Sequence, residues 1–343
     1  MDFSLLNMSR LLYHISQEQA NLKCEGRLEE LILNTGSRTD IPAYYSRWFY
    51  NRIKEGYVLV RNPYYPSQIT KYVLDPTVID VIVFCTKNPA PMLGQISLLS
   101  AFDTFWSVTI TPYGKEIEPF VPDYPQVIRS FQELSGIMGH QKMSWRYDPI
   151  LITERYSADH HISEFQKMAE MLQGYTDQCV VSFIDLYEKT KRNFREARSV
   201  TDEEQRYLIE AIGEIAADNG MQIHLCCESS SLVREHVDAD GCLSKKVLER
   251  AIGCRLDVPK KKTARDACAC LLGADIGAYN TCGHECLYCY ANYDRETVIR
   301  NMKCHDEASP LLVGTVQEGD IVKEAEQKSW KNGQMSIFDM ITV

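Results

Sequence analysis

The chain is predicted to be an α/β protein built on a parallel sheet, and three observations carry the prediction. Short apolar, β-branched runs recur along residues 31–230. Stretches with apolar residues at helical spacing lie between them. Each run ends in polar residues or in a Pro or Gly. Strands alternating with helices are joined by helical crossovers, which makes the sheet parallel. A barrel and a doubly wound open sheet share this pattern. No Gly-x-Gly-x-x-Gly follows the first strand, which counts against a dinucleotide-binding open sheet.

Residues 1–30 read as an N-terminal packing helix, with Leu5, Met8, Leu12 and Ile15 on one face. Leu31-Ile32-Leu33 is the first strand, and it runs into Asn34-Thr35-Gly36-Ser37-Arg38-Thr39-Asp40. A helix is expected from Pro42 to Glu55, with Pro early, where its missing N–H is tolerated. The second strand, Val78 to Phe84, ends in Cys85-Thr86-Lys87-Asn88-Pro89. The third, Phe105 to Ile110, ends in Thr111-Pro112-Tyr113-Gly114. The fourth, Met143-Ser144-Trp145, ends in Arg146-Tyr147-Asp148-Pro149. The fifth, Val180 to Ile184, ends in Asp185, and the sixth, Ile223-His224-Leu225, ends in Cys226-Cys227-Glu228. Helical patterns at 123–139, 161–173 and 202–218 fill the spaces between. Residues 231–314 form a cysteine-rich region, in which Ile276 to Tyr279 reads as a further strand. Residues 315–343 are polar and weakly patterned and read as a flexible tail.

The formal net charge of the 343 residues is −10, which excludes broad, unspecific attraction to nucleic acid. Two basic sets, Lys189/Lys191/Arg192/Arg195/Arg198 and Lys260/Lys261/Lys262/Arg265, read as solvated surface. No apolar run of about 18 residues is present, so no membrane span is expected. The first residues lack the basic start and apolar core of a signal peptide. The cysteine count is odd, at 13, and crowded toward the end. That pattern suits a reducing compartment, here the cytoplasm, and metal binding rather than secreted disulfides.

The stretch that organises the chain is Asn280-Thr281-Cys282-Gly283-His284-Glu285-Cys286-Leu287-Tyr288-Cys289-Tyr290-Ala291-Asn292. Cys282, Cys286 and Cys289 are separated by three and then two residues. Thiolates that close in sequence converge on one object, and disulfide pairing cannot use three. An iron–sulfur cluster suits that spacing. Zinc is the alternative, with His284 as the fourth ligand of a closed set. Three cysteines on a four-iron cluster leave one iron open, and an open position is the mark of chemistry.

Cys-x3-Cys-x2-Cys with Tyr288 before the last Cys resembles the signature of radical S-adenosylmethionine (SAM) enzymes. The longer string from Asp275-Ile276-Gly277-Ala278-Tyr279 through Asn292 resembles the family called domain of unknown function 1848, over about residues 31–314. That resemblance implies a radical SAM-like protein with its cysteine cluster at the C-terminal side. It implies a six-unit (βα) partial TIM-type barrel at 31–230, with the cluster loop appended after it. It also implies a 4Fe-4S cluster on Cys282, Cys286 and Cys289, SAM at the open iron, and an electron donor such as a flavodoxin or ferredoxin. Tyr288 and Tyr290 would pack around the cluster or the adenine. The Gly-Gly-Glu-like run of ordinary radical SAM enzymes is replaced here by Thr86-Lys87-Asn88-Pro89. A Thr-Lys step there resembles the spore photoproduct lyase group, a DNA-repair family.

In a barrel the site lies at the C-terminal ends of the strands. The candidate cofactor or substrate contacts are therefore Ser37, Arg38 and Asp40, Lys87 and Asn88, Arg146 and Asp148, Asp185, and Glu228. Arg forks onto carboxylates and phosphates, and Lys supplies a point charge. No residue is assigned as catalytic. The alternative at each position is a strand-end cap or an internal ion pair. Cys226, Cys242, Cys268 and Cys270 are covered by the resemblance and are candidates for a second cluster; the alternative is a set of ordinary thiols. Cys24, Cys85, Cys179, Cys254 and Cys304 read mostly as packing residues.

The leading expectation is a radical SAM-like enzyme that generates a 5′-deoxyadenosyl radical. The alternatives are an iron–sulfur redox-sensing or binding protein that does not use SAM, and a zinc protein. Gln334-Met335-Ser336-Ile337-Phe338 resembles the short peptide by which bacterial polymerases and repair proteins dock on the sliding clamp. In such a peptide Ile337 and Phe338 would enter an apolar pocket while Gln334 meets its edge. That resemblance points toward DNA repair or modification.

Overall fold

The computed structural model describes residues 32–186, 188–258, 270, 271 and 273–332. The N-terminal packing helix, Cys24, Lys260–Lys262, Arg265, Cys268 and the clamp-like peptide lie outside the described residues.

The first elements among the described residues are β1 (Ile32–Asn34) and two consecutive helices, α1 (Ile41–Tyr44) and α2 (Ser46–Glu55). A hairpin follows, β2 (Tyr57–Arg61) and β3 (Gln68–Val73). Then strands and helices alternate: β4 (Val81–Thr86), α3 (Ala90–Leu93), β5 (Thr104–Thr109), α4 (Tyr124–Met138), β6 (Met143–Ile150), α5 (Ala158–Leu172) and β7 (Gln178–Phe183). Two helices, α6 (Glu188–Asn193) and α7 (Asp202–Asp218), lead to β8 (Gln222–Leu225) and β9 (Val237–Asp238). The chain ends with α8 (Lys245–Ile252), β10 (Ala274–Asp275), α9 (Arg295–Lys303) and β11 (Ile321–Glu324).

The main sheet has eight strands in the order β10-β1-β4-β5-β6-β7-β8-β9. Every pairing in it is parallel. From β1 to β9 the strands are laid down in sequence order. A doubly wound sheet reverses its order at a switch point, and none occurs in that run.

Local sequence explains the crossover helices. Ser157 caps α5 by accepting from His160 N–H, and Thr201 and Glu204 form a reciprocal capping box on α7. Val127, Ile128, Phe131 and Leu134 make the buried stripe of α4, and Phe165, Met168 and Leu172 make that of α5. These stripes pack with Ile82, Phe84, Trp106 and Trp145 from the strands. The opposite face carries the alternate strand residues Ile32, Val81, Val83, Phe105 and Val180. It is covered by Leu243, Val247, Leu248, Leu256 and Trp330. So α8 lies on the face away from the crossover helices. Each fully buried Val or Leu there contributes roughly 1.5–3 kcal/mol.

Several elements differ from the expectation. Asp40 caps the start of the helix expected from Pro42 to Glu55 through Ala43 N–H, but the helix breaks at Tyr45, whose backbone leaves the helical region at φ −131° and ψ 25°. The second strand starts at Val81 rather than Val78, because Asp75 accepts from Thr77 and Ile79 N–H and turns the chain. Only Ala274–Asp275 pairs with β1, since the Asp275 carboxylate takes Gly277 N–H and bends the chain away before Tyr279. A second sheet, β11-β3-β2, was not expected. Its strands carry Arg61, Lys71 and Glu324 among few buried residues, so apolar periodicity is weak. The first part of the stretch read as a tail is built into the fold. β11 pairs with β3, and Trp330 is buried with its N–H on Asp80.

Candidate functional site

The ends of β1, β4, β5, β6, β7 and β8 open into one cavity of about 510 Å³. Ser37, Asp40, Lys87, Arg146, Asp148, Asp185 and Glu228 line it, and so do Cys282, Cys286, Tyr288, Cys289 and Tyr290. Cys226, Cys242 and Cys270 line it too, together with Cys227. Both cysteine groups thus share one space. Arg38 and Asn88 are not among its walls. Arg38 sits 3.8 Å from Asp275 and 5.8 Å from the Tyr279 ring, and Asn88 accepts from Ala90 N–H at the entry to α3.

The cysteine loop is fastened to the strand ends by many contacts. Asp40 is the main anchor: its carboxylate accepts from Thr86 Oγ1 at 2.7 Å, Lys87 N–H at 2.8 Å and Ala43 N–H at 3.0 Å. His284 Nε2 lies 2.9 Å from the same carboxylate, and its Nδ1 lies 3.1 Å from Tyr44 Oη. The imidazole is therefore used as a strut between the loop and α1. The sequence left open that His284 is a zinc ligand; both of its nitrogens instead face Asp40 and Tyr44. Tyr290 Oη donates to Ser37 O at 2.6 Å, and Asn292 Nδ2 to Cys282 O at 2.7 Å. A Cβ on Gly283 would meet the Tyr44 ring at 2.7 Å, so glycine is what lets the loop lie against α1. Glu285 and Asn280 take φ of 55° and 58°, a region costly to side-chain residues and associated with functional loops.

Burial governs the charge state of the loop thiols. It pushes Cys282 well above the ordinary thiol value, and the nearby Asp40 carboxylate adds to this. It does the same to Cys286, aided by Glu118 and opposed by Lys87. Thiols held this way become good ligands when a metal's positive charge deprotonates them.

Glu118 was missed by sequence reasoning because it follows β5 at a distance, in a loop with no motif. It is 3% exposed and accepts from Lys87 Nζ at 2.8 Å, from Thr111 Oγ1 at 2.9 Å and from Tyr288 Oη. Burial pulls the Lys87 pKa down, but Glu118, Cys286 and Asp148 together more than offset this, so the amine stays charged. Arg146 pairs with Asp148, which also accepts from Ser182. Burial disfavours the Arg146 charge, and Asp148 and the cysteines around it restore it. Glu228 accepts from Phe183 N–H at 2.8 Å, and burial raises its pKa to about 7. Cys85, read as packing, also lines the cavity.

In the second group Cys226 Sγ lies 3.7 Å from Cys242 Sγ, which lies 3.2 Å from Cys270 Sγ. Hydrogen bonds from Cys227, Cys242 and Cys270 hold the Cys226 thiol far below its usual range, while Cys242 is pushed up to about 12 as the donor to Cys226. Among the described residues, no group of three or more His, Cys, Asp or Glu side chains is already arranged to hold a metal ion.

The family model described as Domain of unknown function (DUF1848) matches residues 32–291. The chain belongs to that family. The matched span runs from β1 through Ala291 and so contains the strand ends, both cysteine groups and the cysteine loop. Neither the curated proteins nor the solved structures give a match.

Proposed function

We propose that this DUF1848 chain is a radical SAM-like iron–sulfur enzyme, with Cys282, Cys286 and Cys289 holding a 4Fe-4S cluster that keeps one iron open. The observation that carries the reading is the shared cavity, lined by the three cysteines and by six strand ends. Two buried polar atoms beside the loop support the fit. Thr39 Oγ1 and Asn292 Oδ1 have no hydrogen-bond partner among the described residues, and both residues line the cavity. A ligand seated there would give them one. The sequential, parallel strand order supports the further reading of the sheet as a six-unit partial TIM-type barrel.

When bound and reduced, such a cluster supplies one electron that splits SAM into methionine and a 5′-deoxyadenosyl radical, which takes a hydrogen atom from substrate. The chain's own residues then have separate tasks. Asp40 and His284 fix the loop against β1 and α1. Lys87, held by Glu118, offers a fixed cation beside Cys286 for a ligand carboxylate. Arg146 and Asp148 present a locked ion pair on the facing wall. Tyr288 and Tyr290 line the same cavity and would pack around the cluster or the adenine. The electron would come from a flavodoxin or ferredoxin. An oxygen-sensitive centre suits the cytoplasm. The clamp-like peptide at Gln334, Ile337 and Phe338 draws the substrate proposal toward DNA repair or modification.

The test is electron paramagnetic resonance of the anaerobically reconstituted, reduced protein with and without SAM. A signal that shifts on adding SAM, and is absent in Cys286→Ala, is expected. A reducible cluster whose signal ignores SAM would overturn the reading in favour of a redox-sensing or binding protein.

A further inference from the structure

We propose that Cys226, Cys227, Cys242 and Cys270 hold a single thiophilic metal ion, zinc by its chemistry, as a closed four-thiolate clamp in the cavity wall. The inference does not rest on the radical reading, since it concerns a different set of sulfurs.

Spacing is the first argument. Zinc binds thiolates at about 2.3 Å in a tetrahedron, which sets neighbouring sulfurs about 3.8 Å apart. The contacts found are 3.7 Å for Cys226–Cys242 and 3.2 Å for Cys242–Cys270. A cuboidal cluster holds its cysteines further apart, because each sulfur binds a different iron. In the Cys282 group the thiols feel one another's charge, and Cys289 N–H donates to Cys286 O at 3.0 Å.

The backbone is the second argument. Cys227 takes a φ of 60°, a left-handed conformation that side-chain residues adopt only when the surroundings demand it. Adjacent side chains on an extended chain point to opposite sides. The left-handed turn is what lets Cys226 and Cys227 both line the cavity and lets Cys227 hydrogen-bond to Cys226.

The surroundings are the third. Leu243 N–H donates to Cys270 Sγ at 3.4 Å, the kind of backbone contact that steadies a metal-bound thiolate. Four thiolates on a divalent ion carry a net negative charge. The buried Arg146 guanidinium, in electrostatic contact with Cys242 and Cys226, answers it. Disulfides explain the set less well, because Cys242 contacts both Cys226 and Cys270, so the sulfurs form a connected group rather than separate pairs. Four ligands leave no open position, so the ion is structural. It would tie the end of β8, the approach to α8 and the residues before β10 into one wall facing the Cys282 loop.

The experiment uses full-length protein purified without oxygen, alongside the triple variant Cys282→Ala/Cys286→Ala/Cys289→Ala. Metals are measured by elemental analysis and acid-labile sulfide chemically. One zinc per chain is expected in both proteins, lost in Cys242→Ala and in Cys270→Ala. Cobalt exchanged into the triple variant should give the absorption bands of a tetrahedral four-sulfur site, which keeps the test valid if the single variants do not fold. Iron and sulfide retained by the triple variant would overturn the proposal in favour of a second cluster. Failure to hold zinc or cobalt, or a mass loss showing paired disulfides, would overturn it as well. If the radical reading alone fails, SAM has no effect and the zinc count stands.

Discussion

Replacing Lys87 with Met tests how the cavity wall is held. Lys87 Nζ lies 2.8 Å from Glu118 Oε1, and the side chains are 13% and 3% exposed. Met keeps most of the aliphatic stem and removes the charge. Glu118 is then left as a buried anion without its cation, a loss worth roughly 3–5 kcal/mol at buried pairs. Thr111 and Tyr288 still donate to Glu118, so the lower end, about 3 kcal/mol, is expected. The assay is urea unfolding under anaerobic conditions at fixed metal content, read as a shift in midpoint at constant slope. Glu118→Gln and the double variant complete a cycle. The double variant should recover much of the loss, with a coupling near 2 kcal/mol or more. A single-variant cost below about 1 kcal/mol, the range of exposed pairs, or simple additivity would refute the reasoning.

Asp40→Ala removes the acceptor of Thr86, Lys87, Ala43 and His284 together; it should cost at least about 3 kcal/mol and lower iron occupancy after reconstitution, and full occupancy would contradict the strut. Gly36→Ala would set a Cβ 2.3 Å from Cys85 Cβ and 2.4 Å from its carbonyl oxygen; backbone cannot retreat easily, so a loss near 1–3 kcal/mol in unfolding is expected. Burial holds the His161 imidazole down to about 4 from its ordinary 6.5. The unfolded chain takes that proton first, so the contribution is complete above pH 6.5 and is lost as pH falls toward 4. The loss is roughly 3 kcal/mol by proton linkage, and an NMR titration placing His161 near its ordinary value would contradict it.

The parallel sheet and its crossover helices were legible because buried strands show as β-branched runs and helices as apolar stripes, as at Val180–Ile184 and 202–218. Most strand ends were legible for the same reason, and Lys87, Arg146, Asp185 and Glu228 do line one cavity; the fourth strand, expected to end before Arg146, runs on to Ile150, so Arg146 and Asp148 lie within it. The β11-β3-β2 sheet was not, since one-sided, charged strands such as Gln68–Val73 leave little apolar signal. Glu118 and the pairing of His284 with Asp40 were illegible too, because they depend on contacts between distant segments. The sulfur contacts of the second cysteine group could not be read from sequence at all. The order Cys226, Cys227, Cys242, Cys270 reveals no sulfur distances; the fold sets them. Arg38 illustrates the opposite error: it follows a strand, yet turns to Asp275 and Tyr279 instead of the cavity.

The central claim is that Cys282, Cys286 and Cys289 support reductive cleavage of SAM. The direct measurement is 5′-deoxyadenosine released from SAM by the reconstituted, reduced chain, followed by chromatography. The account predicts product from the wild type and none from Cys286→Ala prepared the same way. An intact, reducible wild-type cluster that forms no 5′-deoxyadenosine would contradict it.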